Sequence, residues 1–145
     1  MRLNYFKILA IAATLAVCST QASAQGETKP AGEDAVDPGK SLFKKKCAQC
    51  HSLAEGVNGN GPSLYRVVDK AAAIAPGFKY SRALQRIATE ESLKWSEENL
   101  IAFLARPSLL VPGTRMAFPG MENKENLAVL VEWIKANSGS PSNKP

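Results

Sequence analysis

The segment that most constrains this chain of 145 residues is Cys47-Ala48-Gln49-Cys50-His51, in which a histidine directly follows two cysteines three positions apart. Three kinds of site share this pattern: a redox-active dithiol, part of a zinc site and a haem attachment site. A dithiol of the thioredoxin type follows a β-strand in a β/α chain. A structural zinc site needs four ligands, which are usually Cys and His. The choice among the three therefore depends on what the rest of the chain supplies.

Residues 1–24 have the layout of a secretory signal peptide. The segment has a basic start, an apolar run over 8–17 and small residues at 22–24, so we expect cleavage after Ala24. The apolar run is shorter than the roughly 20 residues that span a bilayer, which argues against an uncleaved membrane anchor. We therefore predict a periplasmic protein whose mature form has no membrane span.

Cleavage at this position changes both the net charge and the number of cysteines. It removes Cys18 and two of the 18 basic residues, which leaves 16 basic against 13 acidic residues and a net charge of +3 instead of +5. A mild positive charge without a basic stripe studded with aromatic residues argues against nucleic-acid binding. Only Cys47 and Cys50 remain, and in an oxidising compartment we expect them to pair or to be consumed by a cofactor.

The remaining chain has the pattern of helices separated by long loops. Asp37, Ser81, Ser96 and Asn123 are predicted N-caps, and Pro38 suits the first turn of the first helix. Apolar residues recur behind the later caps at helical spacing: Ala83, Leu84, Ile87 and Ala88, then Leu100, Phe103 and Leu104, then Leu127, Leu130, Val131 and Ile134, with Gly139 as the stop.

No segment shows the pattern of a strand, so we predict a small, single-domain, all-α protein. The domain covers residues 37–139, between a flexible lead-in at 25–36 and a disordered tail at 140–145. Segment 106–120 contains three prolines and two glycines and is predicted to be extended and turning. Such long loops are unusual in a small domain unless something fills its centre.

These features favour haem among the three kinds of site. A thioredoxin-type dithiol lacks its strand, and a zinc site would need a carboxylate because the exported chain has two Cys and one His. Haem attachment needs only the motif: the thiols of Cys47 and Cys50 add to the haem vinyl groups, and His51 binds the iron as an axial ligand.

The ligand on the far side of the iron must be another kind of residue, because His51 is the only histidine. Met116 and Met121 are thioether candidates, with Lys, Tyr or an open position as further alternatives. Met116 is favoured because it lies in the Pro- and Gly-interrupted segment, whereas Met121 lies near the start of the last helix, where a core or surface role is usual.

The chain resembles the class I cytochromes c, including the mitochondrial protein and its soluble bacterial relatives, over about residues 37–137. The resemblance rests on an ordered series of segments: PGKSLFKKKCAQCHSL, NGPSL, APGFKY, LKW, VPGTRMAFPGM and LAVLVEWIKAN. It implies a fold in which the N- and C-terminal helices cross and long loops wrap around one covalently bound haem c. The crossing would pair Gly39 and Phe43 with Leu130 and Trp133.

The resemblance also implies a role for each site residue. It assigns thioether attachment to Cys47 and Cys50, iron ligation to His51 and Met116, the carbonyl that accepts the hydrogen bond of His51 Nδ1 to Pro62, propionate contacts to Tyr80 and Trp95, and the haem edge to Phe118.

Three features depart from the family pattern. The stretch between Tyr80 and Trp95 is about four residues longer than in the mitochondrial form, and the propionate-binding asparagine of that stretch has no clear counterpart. Lys70 stands where the family has a buried arginine near a propionate. Phe103 stands where a tyrosine usually donates a hydrogen bond to the methionine sulfur.

The function implied is that of a monomeric one-electron carrier between membrane complexes, for example from a quinol–cytochrome c reductase to a terminal oxidase or a photosynthetic reaction centre. Docking would use a group of basic residues that we name the basic edge: Lys44, Lys45, Lys46, Lys79 and Arg115. Two alternatives are a haem enzyme or gas sensor, which needs an open sixth position, and a cytochrome tethered to the membrane or held as a subunit.

Overall fold

The computed structural model describes residues 37–139 of the chain. The signal peptide, lead-in and tail predicted for 1–24, 25–36 and 140–145 lie outside the described residues. Within them the structure has five helices, which are α1 (Pro38–Lys46), α2 (Arg82–Glu90), α3 (Glu97–Ala105), α4 (Pro107–Leu110) and α5 (Lys124–Asn137). The described part contains no strand, only two isolated bridges between single residues. The all-α prediction is therefore confirmed.

All four predicted N-caps are confirmed. The side chains of Asp37, Ser81, Ser96 and Asn123 each accept a hydrogen bond from the backbone N–H three residues later, at 2.8 to 3.2 Å. Each such bond satisfies a donor that the first turn of a helix leaves free, and a cap of this kind stabilises a helix by about 1 kcal/mol. Gly139, the predicted stop of α5, has a φ of 115°, which favours glycine.

Segment 106–120 is less extended than the sequence predicted. Residues 107–110 form the short helix α4, in which Val111 N donates to Pro107 O at 2.9 Å. Pro107 ends α3, as expected, but it also begins α4, because its fixed φ suits the first position of a helix and its missing N–H is not needed there. The rest of the segment has no regular structure.

The first and last helices cross at Gly39, as the resemblance implied. A Cβ added to Gly39 would lie 2.6 Å from Trp133 Cγ and closer still to Trp133 Cβ, so the two backbones approach too closely for any other residue. One turn further along α1, the rings of Phe43 and Trp133 lie 5.2 Å apart. Helix α5 also packs against α3, and α3 packs against α4.

The predicted core positions are buried. Leu127, Leu130 and Val131 of α5 are at most 1% exposed, and Leu100, Phe103 and Leu104 of α3 are also buried. In α2 the side chains of Leu84 and Ile87 are buried, while the flanking alanines are half-buried. Among residues 37–139, no helix combines the length and the hydropathy needed to cross a bilayer.

Candidate haem site

The cysteine motif forms a turn directly after α1. Cys47 N donates to Phe43 O at 2.8 Å, and His51 N donates to Cys47 O at 2.9 Å. Both bonds join an N–H to the carbonyl four residues earlier, so the hydrogen-bond pattern of the helix continues into the turn. Cys47 is buried, Cys50 is exposed, and neither forms a disulfide. Burial, with a smaller contribution from Cys50, raises the pKa of the Cys47 thiol to about 11. The buried Cys47 thiol therefore lacks the lowered pKa that is typical of a reactive dithiol.

The orientation of His51 is fixed by Pro62. His51 Nδ1 donates to Pro62 O at 2.8 Å, as the resemblance implied. Because a carbonyl oxygen can only accept, the proton is on Nδ1 and the lone pair of Nε2 is free. Burial lowers the pKa of His51, an effect that the bond to Pro62 opposes, so the ring is neutral at neutral pH. A neutral imidazole with its other nitrogen hydrogen-bonded is the form that binds metals.

The loop after His51 lies directly against the motif. Gly61 N donates to Cys50 O at 2.8 Å. A Cβ on Gly61 would lie 2.6 Å from both nitrogens of the His51 ring, and one on Gly59 would lie 2.7 Å from Cys50 O. The glycines of this loop therefore allow the backbone to lie flat against the imidazole and the cysteine turn. The residue pattern had predicted a loop here, and the resemblance had implied that this Gly-Pro loop lies behind His51, without assigning a role to either glycine.

Asn58 is a site residue that the sequence reasoning missed. Its side-chain Oδ1 accepts from Ser63 N and its Nδ2 donates to Pro76 O, both at 2.9 Å. Asn58 thereby connects the loop that orients His51 to the loop that leads to Tyr80. An asparagine in a Gly-rich loop is an ordinary turn residue, and its partner Pro76 is 18 positions away, so the sequence contained no signal of this role.

The structure places Met116 and Met121 in different environments. Met121 is 9% exposed and belongs to the hydrophobic core, and its N–H donates to Leu104 O at 3.0 Å. Met116 is half-buried in the irregular segment, packs against the edge of the core and has its N–H bonded to Thr114 Oγ1 at 3.2 Å. Of the core or surface role expected for Met121, the structure shows the core role, whereas Met116 is only packed against the core.

Two aromatic side chains have polar groups without an acceptor in the described part of the chain. Tyr80 Oη accepts from Ala75 N at 3.1 Å, and its own O–H donates to no described residue. Burial raises the pKa of Tyr80, partly offset by the bond from Ala75, so the hydroxyl keeps its proton. Trp95 as a whole is 8% exposed, and its indole N–H forms no hydrogen bond within residues 37–139. Neither group is a buried, unsatisfied polar atom, so each donor is free to bind an acceptor that approaches it, such as a carboxylate.

Three further residues have clear positions. Phe103 is buried with its ring 5.0 Å from that of Trp95. Phe118 is half-buried against the core, in the same irregular segment as Met116. Lys70 is exposed, and its carbonyl accepts from Trp95 N at 2.8 Å. Lys70 therefore contacts Trp95 through its backbone carbonyl, while its side chain is exposed.

The five residues of the basic edge are all exposed. Three of them form the last turn of α1, immediately before Cys47, where positive charge is favourable at the helix C-terminus. The other two are brought together, because the guanidinium of Arg115 donates to the carbonyl oxygen of Lys79. This bond also connects the segment of Met116 to the segment of Tyr80.

The residues present fit a covalently attached haem. Two free thiols lie in one turn, His51 is neutral with Nε2 unprotonated, and the donors of Tyr80 and Trp95 match the carboxylates of haem propionates. A zinc site is not supported, since the described residues contain no group of three His, Cys, Asp or Glu able to hold a metal ion.

Comparison with known proteins agrees with this chemistry. The family model described as cytochrome c matches residues 36–138. Cytochrome c of Euglena viridis is 39% identical over 100 residues, which are 69% of this chain and 94% of that protein. Cytochrome c of Sesamum indicum is 35% identical over 101 residues, covering 69% and 87%. Cytochrome cH from Methylobacterium extorquens has a similar structure, with a TM-score of 0.61, 33% identity and coverage of 68% and 95%.

The match spans almost the whole described domain and nearly the full length of these relatives. Members of this family transfer electrons through one covalently bound haem c and are not enzymes. The chain therefore belongs to the cytochrome c family and is a monohaem electron carrier.

Proposed function

We propose that His51 and Met116 are the axial ligands of the haem iron and that the protein shuttles single electrons in the periplasm. The observation that supports this most directly is the hydrogen bond from His51 Nδ1 to Pro62 O, because it leaves Nε2 as the only free nitrogen of the only histidine. Met116 is the better methionine because Met121 is part of the core.

The haem supplies the Fe(II)/Fe(III) couple, and the chain determines how that couple behaves. Cys47 and Cys50 fix the group covalently, and Tyr80 and Trp95 donate hydrogen bonds to its propionates. The thioether of Met116 would hold the iron opposite His51 and would keep substrates away from it. A thioether ligand and burial of the iron both disfavour the ferric charge and raise the reduction potential.

The partners are membrane redox complexes with acidic docking surfaces. The residues of the basic edge are exposed, and three of them lie directly before the cysteine turn. Such charge increases the rate of encounter more than it increases affinity. We propose a quinol–cytochrome c reductase as the donor and a terminal oxidase or reaction centre as the acceptor. The mature protein, cleaved near Ala24, acts as a diffusing monomer.

Matched leucine variants of the two methionines test the axial ligand. Met116→Leu removes the thioether from the iron, so we expect the near-infrared iron–sulfur charge-transfer band of the ferric protein to disappear and the reduced protein to bind CO. Met121→Leu keeps the side-chain volume in the core, costs less than about 1.5 kcal/mol of stability and keeps the band. Absorption spectra of both purified holoproteins measure this.

Two results would contradict the proposal. Persistence of the band in Met116→Leu together with its loss in Met121→Leu would move the ligand to Met121. Ready CO binding by the reduced wild-type protein at neutral pH would show an open sixth position and would remove the argument that the iron is closed to substrates.

A further inference from the structure

The peptide group between Pro62 and Ser63 is hydrogen-bonded on both sides. Its carbonyl oxygen accepts from His51 Nδ1 at 2.8 Å, and its N–H, which belongs to Ser63, donates to Asn58 Oδ1 at 2.9 Å. The same amide that orients the imidazole is therefore itself held by a side chain.

The asparagine amide is held in turn. Asn58 Nδ2 donates to Pro76 O at 2.9 Å. The three bonds run in one sense: the histidine donates to a peptide, the peptide donates to the Asn58 amide, and that amide donates to a carbonyl. In such a chain each bond polarises the next, because an amide that donates from its nitrogen becomes a stronger acceptor at its oxygen.

From this arrangement we infer that Asn58 is a positioning residue for the axial histidine and tunes the reduction potential through the Pro62–Ser63 peptide. The inference rests on the proposed ligation of the iron by His51. A more polarised Pro62 carbonyl holds the Nδ1 proton more strongly, which increases the electron density on Nε2. A more basic imidazole stabilises ferric iron, so Asn58 lowers the potential and its removal raises it.

The loop does not depend on the Asn58 side chain alone. The backbone of Asn58 pairs with that of His51 in an isolated bridge, and Gly61 N is bonded to Cys50 O. Haem attachment through two cysteines adds a covalent anchor. We therefore expect a variant at position 58 to keep its fold, so that the potential can be measured on intact holoprotein.

The test compares Asn58→Ala with Asn60→Ala in the holoprotein. Asn60 is an exposed asparagine of the same loop whose side chain forms no hydrogen bond among the described residues, so it controls for loop composition. In the Asn58→Ala protein we expect a higher reduction potential and an exchange of the His51 Nδ1 proton about three- to tenfold faster, measured by NMR on the ferrous form. Both quantities stay at wild-type values in the Asn60→Ala protein.

We call the chain of three hydrogen bonds from His51 to Pro76 the relay, and a second variant distinguishes its effect from simple support of the loop. Asn58→Asp keeps an acceptor for Ser63 N–H and loses the donor to Pro76, so the Nδ1 proton stays protected and the potential does not rise. Exchange in Asn58→Asp as fast as in Asn58→Ala would overturn the relay. An unchanged potential and unchanged exchange in Asn58→Ala would also overturn it.

The same spectra distinguish failure of the ligation from failure of the relay. If the His51 ring protons of the wild-type protein lack the ring-current shift of an iron-bound imidazole, both the proposed ligation and this inference are wrong. If that shift is present and the Asn58 variants follow the control, only the inference is wrong.

Discussion

At the scale of single residues, the absence of a side chain at Gly61 determines how His51 is held. The ring lies against the backbone of Gly61, next to the carbonyl of Pro62 that accepts its Nδ1 proton. The requirement is steric, since the backbone of Gly61 does not have a positive φ, unlike that of Gly56. Contact with the backbone and a hydrogen bond to it thus restrain the same imidazole from two sides.

Gly61→Ala should therefore displace the histidine. The added Cβ would lie 2.6 Å from both ring nitrogens, so the ring or the loop must shift, and we expect a loss of about 2 to 3 kcal/mol in the free energy of unfolding. Gly56→Ala is the control: its Cβ would meet nothing within 4 Å, but its φ is 70°, so it costs only about 1 kcal/mol of backbone strain. Denaturant unfolding of both holoproteins measures this, and equal losses would contradict the steric account.

At the scale of secondary-structure elements, the crossing of α1 and α5 places the cysteine turn. Helix α1 ends at Lys46, directly before Cys47, so its angle against α5 determines where the motif lies. The close approach at Gly39 and the ring contact of Phe43 with Trp133 hold that angle.

Gly39→Ala should force the two helices apart. The nearest atom to the added methyl group is Trp133 Cβ, next to the backbone of α5, so rotation of the indole cannot relieve the contact. We expect a loss of about 3 kcal/mol by denaturant unfolding, and we expect Trp133→Ala, which keeps that Cβ, not to rescue it. Lys40→Ala, at the exposed neighbouring position of the same helix, should change stability by less than about 0.5 kcal/mol. Rescue by Trp133→Ala would show that the added methyl group clashes with the indole ring and that the distance between the two helices is not the cause of the loss.

The elements that were predictable from the sequence are those whose causes are local. A cap such as Ser96 acts within three residues of its own position, and the apolar face of α5 follows from helical spacing. Helix α4 was missed because Pro107 indicates the end of α3, although a proline also suits a first turn. Asn58 and Gly61 were missed because their roles depend on atoms that only the folded chain brings together. Within the site, the motif predicted the cofactor, the resemblance implied the hydrogen bond of His51 to Pro62, and the structure added Asn58 and Gly61 around them.

At the scale of the whole molecule, we expect the position of positive charge to affect docking more than its amount. The expected mature net charge of +3 is small. The basic edge comprises three exposed cations directly before the cysteine turn and two on the segments of Tyr80 and Met116. The bond from Arg115 to the Lys79 carbonyl keeps two of them together. A local field of this kind attracts anionic reactants to one place, and salt screens it over about 10 Å at 0.1 M ionic strength.

Lys79→Glu tests whether electrons enter at the basic edge. The variant keeps the carbonyl that Arg115 uses and reverses one charge. We expect the rate constant for reduction by hexacyanoferrate(II), an anion, to fall about three- to tenfold at low ionic strength, and that for a cationic ruthenium hexaammine reductant to rise. Lys124→Glu, an exposed lysine at the start of α5 and outside the basic edge, changes the net charge equally and should have a much smaller effect on both. Stopped-flow measurements should show that the changes in both rate constants become smaller as salt is added. Equal effects of the two variants would mean that the reactants respond to net charge alone, and would place electron entry away from the basic edge.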